Sequence, residues 1–395
     1  MPYDIWAEID LDALSGNIKR LKALLDPGVL FMAVVKADAY GHGAVETARA
    51  AVSAGADALA VARLGEAVEL RHAGITAPVL ILGKTRPAYA EKLVSYNLAQ
   101  TVSSFEEAAA FSARAVALGA VIRVHVKIDT GMGRLGLVAD DVPGACRSAG
   151  ERGAVDEVAA LNGMEGLFFE GICTHFASAD DADKTAAARQ LALFLELTGA
   201  LEGRGIRFPL RHAANSAAVI DLPASRLDMV RPGLSIYGYY PSEAVSREAV
   251  RLTPVMTLFS RIVHVKHVGP GFSVSYGATE KTRRETDIAT VAVGYADGYS
   301  RLLSSTGNMA VRGIPVPVVG RVCMDFTMVD AGNVPGISEN DAAVVFGRPE
   351  TGAPTADDIA EWSRTISYEV LTGVSKRVPR LYIKSGYPAD PVMRG

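Results

Sequence analysis

The amino-acid sequence predicts an α/β protein: an N-terminal (β/α)8 TIM-type barrel over residues 1–240, then a mostly-β domain over residues 241–395. Three observations carry that expectation. Short apolar runs alternate with longer stretches of helical periodicity from Phe31 to Ser235. The runs number eight. Beyond Pro241 the helical periodicity fades. The runs are FMAVVK (31–36), ALAVA (58–62), VLILG (79–83), AQTV (99–102), VIRVHVKI (121–128), FFEGICTH (168–175), LRHAAN (210–215) and DMVRPG (228–233). Continuous apolar runs mark strands buried on both faces, and alternation with helices marks a parallel sheet. The segments between them, such as RLGEAVELRHAG, are rich in Ala, Leu and Glu, and several end in Gly, a common helix stop. Eight such units suggest a closed barrel. A doubly wound open sheet is the alternative, and no GxGxxG follows the first run to support it.

After Pro241 come runs enriched in Val, Thr, Ile and Phe, among them TPVMTLFSRIVHVKHV, DIATVAVGY and AAVVFG, separated by Gly, Pro and Asn. That texture predicts antiparallel strands. Pro315 and Pro317 share one run, which places it at a sheet edge or on a bulge. A helix near TADDIAEWSRT and a strand near RVPRLYIK close the chain. The boundary falls between Tyr237 and Arg251.

Composition narrows the class. Forty basic residues against forty-four acidic ones give a net charge of -4, without the basic excess of a nucleic-acid binder. No apolar stretch has the length to cross a bilayer, and the first residues, MPYDIWAEID, do not read as a secretory signal. Cys146, Cys173 and Cys323 are odd in number and lack metal-ligand spacing. They read as reduced, which fits a cytoplasmic setting, with Cys146 and Cys173 as small buried hydrophobes.

Catalytic groups of a βα barrel lie where strands end and loops begin. That rule selects Lys36 after the first run, His175 after the sixth, Asn215 and Ser216 after the seventh, and Arg231 after the eighth. It also selects Lys127, Asp129 and Arg134 in KIDTGMGRLG after the fifth. Each alone has an ordinary reading: a solvated lysine, a structural histidine, an ion-paired arginine. Their placement on one rim favours a site. The amides near Gly233 and Leu234, with the hydroxyls of Ser216 and Tyr40, make a phosphate cradle there. A lysine facing that cradle can condense with an aldehyde cofactor.

Nine segments in order over both domains then carry a resemblance: AVVKADAYGHG (33–43), KIDTGMGRLG (127–136), THFASAD (174–180), HAANSAA (212–218), MVRPGLSIYG (229–238), VSYGATE (274–280), VGYADGY (293–299), GRVCMD (320–325) and TISYEVLTGVSKRVPRLY (365–382). With them the chain resembles the bacterial alanine racemases. The resemblance implies pyridoxal 5'-phosphate as cofactor, a homodimer with shared active sites, and packing of the first strand, about residues 3–10, with the β domain. It implies interconversion of L- and D-alanine by two bases, supplying D-alanine for peptidoglycan. Lys36 matches the cofactor-bearing lysine, and Tyr276 the tyrosine that a partner subunit brings to the opposite face. By the same resemblance His175 contacts Tyr276, and Arg231 contacts both His175 and the pyridine nitrogen. A guanidinium there leaves that nitrogen unprotonated and weakens the electron sink. Tyr40, Ser216, Gly233, Leu234 and Tyr368 match phosphate-binding positions. Arg134 and the Met324 amide match substrate-carboxylate contacts. Lys127 matches a position that is often carbamylated, the alternative being a free lysine paired with Asp129. Tyr295 matches a residue of the narrow access channel, and Cys323 lies beside Met324 without an assigned role. Two positions depart from the pattern: Glu280, where many members carry an aromatic residue, and Asp38, where others carry asparagine.

Three rivals are weaker. A decarboxylase of the same barrel type pairs the ring nitrogen with a carboxylate, whereas the eighth run ends in Arg231. A non-enzymatic single-barrel cofactor binder lacks a second domain. A broader-specificity serine racemase of the same fold is the nearest alternative.

Overall fold

Every apolar run of the first half contains a strand; the second to fourth strands are covered on both faces, whereas the sixth run begins with an exposed Phe168. The computed structural model describes residues 3–145, 153–384 and 387–388; Cys146 lies outside them. Strand β1 (Ile5–Asp10) comes first, followed by the barrel strands β2 (Leu30–Val34), β3 (Ala58–Val61), β4 (Val79–Ile81), β5 (Ala99–Val102), β6 (Ile122–Asp129), β7 (Leu167–Cys173), β8 (Leu210–His212) and β9 (Met229–Val230). Strands β2 to β8 pair in parallel in sequence order, and β9 pairs with β2. Between β8 and β9 two hydrogen bonds replace a ladder: Asp228 N–H to the Arg211 carbonyl (3.1 Å) and Arg231 N–H to the Ala214 carbonyl (2.9 Å). The barrel is therefore nearly closed, with its strand C-termini on one rim.

The C-terminal domain is mostly β. Strand β10 (Met256–Val268) is its spine; it pairs antiparallel with β1, with β11 (Thr286–Val291) and with β15 (Ala342–Phe346). Strand β12 (Asn308–Val311) joins β15 to β13 (Ile314–Pro317), which is the edge strand. Two prolines sit where missing N–H groups leave no central ladder broken. Strand β14 (Thr327–Asp330) pairs with β11, and β16 (Arg380–Lys384) runs parallel to β1. Helix Ala356–Ser363 is capped by Thr355, and helix Ser367–Gly373 follows it.

The first strand thus sits between β10 and β16, and the chain enters the barrel through helix Leu11–Lys22, capped by Asp10. Asp10 also pairs with Arg348 of the β domain. The loop after Lys36 meets the second domain closely. A Cβ on Gly41 would lie 2.2 Å from the Leu371 carbonyl oxygen, and Gly41 has a φ of +81°. Only glycine meets both demands. One apolar core runs through both domains. Among the described residues no helix is long and apolar enough to cross a membrane.

Candidate active site

Lys36 leaves β2 at the rim, and the next four residues, Ala37 to Tyr40, all have φ near +53°. Left-handed conformation costs an L-residue about 1–2 kcal/mol, so this turn exists only because its surroundings hold it. The Ala37 N–H donates to Glu66 Oε1 (2.7 Å), and the Ala44 N–H to Asp38 Oδ1 (2.7 Å). An asparagine side-chain oxygen could accept the second bond equally well. The other Glu66 oxygen accepts the Ala62 and Arg63 amides, so one carboxylate clamps the Lys36 loop to the start of the helix Leu64–His72 that follows β3. Burial of Lys36, and secondarily the Arg134 charge, lower its amine below the usual lysine value; Glu66 partly opposes them.

Arg231 is buried below the rim. Its Nη1 donates to His212 Nδ1 (2.6 Å), and its Nη2 to the carbonyls of Thr174 (2.7 Å) and Ala213 (3.1 Å) and, at 3.4 Å, to His175 Nδ1. Its Nε has no hydrogen-bond partner among the described residues. His175 is kept well below the usual imidazole value by burial, then by Arg231, Lys127, Arg134 and Lys36. It is neutral, and with Nδ1 accepting, its proton sits on Nε2.

Lys127 is pushed down to about 8, by burial first, with Arg231 and Arg134 adding to it against Cys173 and Asp129. Asp129 does not pair with it. One Asp129 oxygen accepts the amides of Gly131, Met132 and Gly133 at 2.8–3.1 Å, and the other accepts the Arg134 amide at 3.1 Å. These bonds hold the carboxyl below its usual value although burial opposes them. The loop that carries Arg134 is thereby fixed. Lys36, Lys127, Arg134 and Arg231 form no ion pair with a carboxylate among the described residues. Such a rim attracts anions.

The remaining rim residues close a cradle. The Ser216 hydroxyl oxygen accepts the Gly233 N–H (2.9 Å) and the Ser235 N–H (3.2 Å). Leu234 opens a 3-10 turn directly after Gly233, and Asn215 caps the short helix that begins at Ser216. A Cβ on Gly233 would lie 2.4 Å from the Tyr40 hydroxyl. The Tyr40 ring lies tilted against those of Tyr237, at 4.8 Å, and Tyr368, at 6.0 Å. Burial raises both Tyr40 and Tyr368, so both hydroxyls remain donors. Neither hydroxyl has a hydrogen-bond partner among the described residues. A cavity of about 400 Å³, lined by Lys36, Ala37, Tyr40, Ile366, Tyr368 and Thr372 among others, opens above them. Unpartnered hydroxyl donors, a glycine that clears one of them, and a depressed amine facing the same cavity fit a phosphorylated aldehyde.

A second cluster lies on the β domain. Tyr276, Tyr295 and Met324 are exposed, at 70%, 43% and 53%. The Tyr295 N–H donates to the Cys323 carbonyl (3.1 Å) and the Ala296 N–H to the Met324 carbonyl (3.1 Å). Ser275, beside Tyr276, donates to the Arg321 carbonyl (2.6 Å) and lies 3.7 Å from Cys323 Sγ. Glu280 pairs with Val274 in the short hairpin around Tyr276. No hydrogen bond or ring contact joins Tyr276 to Lys36, His175 or Arg231 among the described residues of this chain. The expected contact between His175 and Tyr276 is therefore not made within one subunit.

A barrel with unpartnered hydroxyls and a half-buried, depressed amine on its rim, followed by a β domain, fits a pyridoxal-phosphate enzyme that acts on amino acids. A model of the alanine racemase N-terminal domain matches residues 9–241, and one of the alanine racemase C-terminal domain matches residues 255–382. An alanine racemase of Desulfosudis oleivorans is 52% identical over 380 residues, 96% of this chain and 97% of that protein. One of Desulforamulus reducens is 47% identical over 97% of this chain and 100% of its own length. Among solved structures, alanine racemase of Clostridium difficile superposes with a TM-score of 0.91 at 39% identity, covering 99% of this chain and 98% of that one. Alanine racemase of Bacillus anthracis with bound L-Ala-P superposes with a TM-score of 0.87 at 36% identity, covering 99% of this chain and 98% of that one. The chain belongs to the alanine racemase family, a family of pyridoxal-phosphate-dependent isomerases. The serine-directed alternative is not favoured by any of these similarities.

Sequence reasoning passed over four residues: Glu66, His125, Glu170 and His212. One signal was available. In RVHVKID the polar residues Arg123, His125, Lys127 and Asp129 alternate with Val and Ile, unlike the continuous apolar runs LFMAV, ALAV and VLI of β2, β3 and β4. Such alternation puts one polar stripe on one face of a barrel strand.

Proposed function

We propose that the rim residues of the barrel and the exposed residues of a partner's β domain together make a two-base alanine racemase site. The observation that carries it is the depressed Lys36 amine sharing one cavity with the unpartnered hydroxyls of Tyr40 and Tyr368. Bound pyridoxal phosphate supplies an electron sink that makes the substrate α-proton removable. Lys36 holds the cofactor and exchanges a proton with one face of the α-carbon. Tyr276 of the partner subunit serves the other face, each acting as acid when the other is base. His175, neutral with its proton on Nε2, offers a donor to that tyrosine oxygen. Arg231 Nε, left without a partner by the other bonds of its guanidinium, would donate to the ring nitrogen and give up no proton to it. Tyr40, Ser216, Gly233, Leu234 and Tyr368 hold the phosphate, and Asn215 fixes Ser216 by capping its helix. Arg134 and the Met324 amide hold the substrate carboxylate, and Tyr295 narrows the access channel.

The homodimer follows from the division of the site. Tyr276, Tyr295 and Met324 are exposed together with Phe272, Leu302 and Phe326 on the β domain, and covering them with a second barrel rim completes both halves. The product D-alanine serves peptidoglycan synthesis in the cytoplasm. In deuterium oxide, L-alanine is expected to lose its circular dichroism and take up α-deuterium at matching rates. Exchange that outruns inversion would remove the second base.

Lys127 is assigned as a carbamate that pairs with Arg134. With its amine near 8, about a tenth is neutral at pH 7, against less than a thousandth for an ordinary lysine. Only the neutral amine attacks carbon dioxide, forming the N–C bond and releasing a proton to water. ¹³C-bicarbonate should therefore label the protein increasingly from about pH 7 to about pH 9, as the neutral fraction grows. Lys127→Ala should show no labelled carbamate signal in ¹³C NMR; equal labelling in both proteins would refute the assignment.

A further inference from the structure

The hydrogen bonds behind Arg231 continue away from the rim. Arg231 Nη1 donates to His212 Nδ1 (2.6 Å), His212 Nε2 lies 2.8 Å from His125 Nδ1, and His125 Nε2 lies 3.1 Å from Glu170 Oε2. The ends fix the proton positions. A guanidinium only donates and a carboxylate only accepts. His212 Nδ1 must therefore accept, which puts its proton on Nε2. His125 Nδ1 must accept that proton's bond, which puts its own proton on Nε2, facing Glu170. Every bond points the same way, from Arg231 to Glu170.

Two further features of β7 serve this chain. Val124 pairs with Phe169 and His125 with Gly171, so Glu170 is the extra residue of a β-bulge. A bulge re-aims a side chain, and here the carboxylate is turned onto His125. At Gly171 a Cβ would lie 2.4 Å from His125 Nδ1. Glycine leaves the space that lets this imidazole reach His212. The other Glu170 oxygen takes Arg123 Nη1 at 3.3 Å. His125 and His212 are buried. Burial holds both below the usual imidazole value, so both stay neutral relays.

We propose that Glu170 is a positioning residue for Arg231, fixing through His125 and His212 the tautomers that keep a lone pair, and not a proton, facing the guanidinium. A reversed tautomer of His212 would set N–H against N–H and turn Arg231 away from its carbonyl partners. A carboxylate is required because both of its oxygens must accept, one from Arg123 and one from His125. An amide satisfies one donor and opposes the other. The proposal rests on Arg231 facing the cofactor ring.

Glu170→Gln tests it. Solid-state ¹⁵N NMR of the holoenzyme labelled in histidine, with His125→Asn for assignment, should show both residues as pure Nε2–H tautomers in the parent. In Glu170→Gln both should become mixtures. The kcat should fall about 10-fold with KM nearly unchanged, the lower end of what removing the hydrogen-bonded partner of a metal ligand costs. Unchanged tautomers would overturn the proposal. Mixed tautomers with an unchanged kcat would overturn it also, leaving the chain as packing alone. If Glu170→Gln does not fold, Glu170→Asp, which withdraws the carboxylate by one methylene, should mix the tautomers in the same sense, and pure Nε2–H signals there would again refute it. Failure of the racemase reading would appear separately, as no racemisation by the parent enzyme, with its tautomers unaffected.

Discussion

Lys36→Ala should lower racemisation by about 10³-fold or more, because a group that both carries the cofactor and exchanges the α-proton is lost. The same variant should lose the near-visible absorbance band of the bound cofactor. Its fold should survive, since Lys36 is only half-buried and the turn after it is held by Glu66, Asp38 and the Leu371 contact of Gly41. The decisive comparison is with Lys127. Both amines are depressed, so both are candidate nucleophiles. Only Lys36 lines the cavity that Tyr40 and Tyr368 share. An unchanged band in Lys36→Ala that disappears in Lys127→Ala would move the cofactor to the wrong side of this reading.

Mixing two inactive subunits should restore activity. Lys36→Ala removes the barrel half of the site, and Tyr276→Phe removes the β-domain half. If each site joins the barrel of one subunit to the β domain of its partner, a mixed dimer carries one site with both defects and one with neither. Random reassortment in a symmetric dimer makes half of the dimers mixed, so about a quarter of the parent activity should return. Sites built within single subunits would give no recovery, because every site would keep one defect. Tyr276→Phe alone should bind cofactor normally while damaging proton transfer at one face far more than at the other. The arrangement behind this is plain in the chain: Tyr276 is 70% exposed and forms no hydrogen bond or ring contact with Lys36, His175 or Arg231 among the described residues.

The barrel strands were legible because hydrophobic periodicity is a local property. FMAVVK, ALAVA and VIRVHVKI state their burial within a few residues, and each became a strand at the expected place. The rim rule then selected Lys36, His175, Ser216 and Arg231 without any knowledge of distance. It also selected Asp129, whose carboxylate is taken up by a turn of four amides, so the alternative of an ion pair with Lys127 is not formed. Helix Ser367–Gly373 had no clear periodic signal in so short a segment, yet it brings Tyr368 to Tyr40.

By itself the sequence determined which residues stand at the ends of barrel strands, and through its ordered motifs the cofactor and the reaction. The tertiary structure decided what those residues touch. Closure of the sheet between β8 and β9 rests on two hydrogen bonds that no periodicity announces. The left-handed turn after Lys36 exists because Glu66, from another strand–helix unit, accepts the Ala37 amide. The path from Arg231 to Glu170 needs four strands side by side, β6 to β9, and a bulge in one of them. Burial is written in neighbouring residues, whereas contact across a barrel is set by strand order, register and the space a glycine leaves.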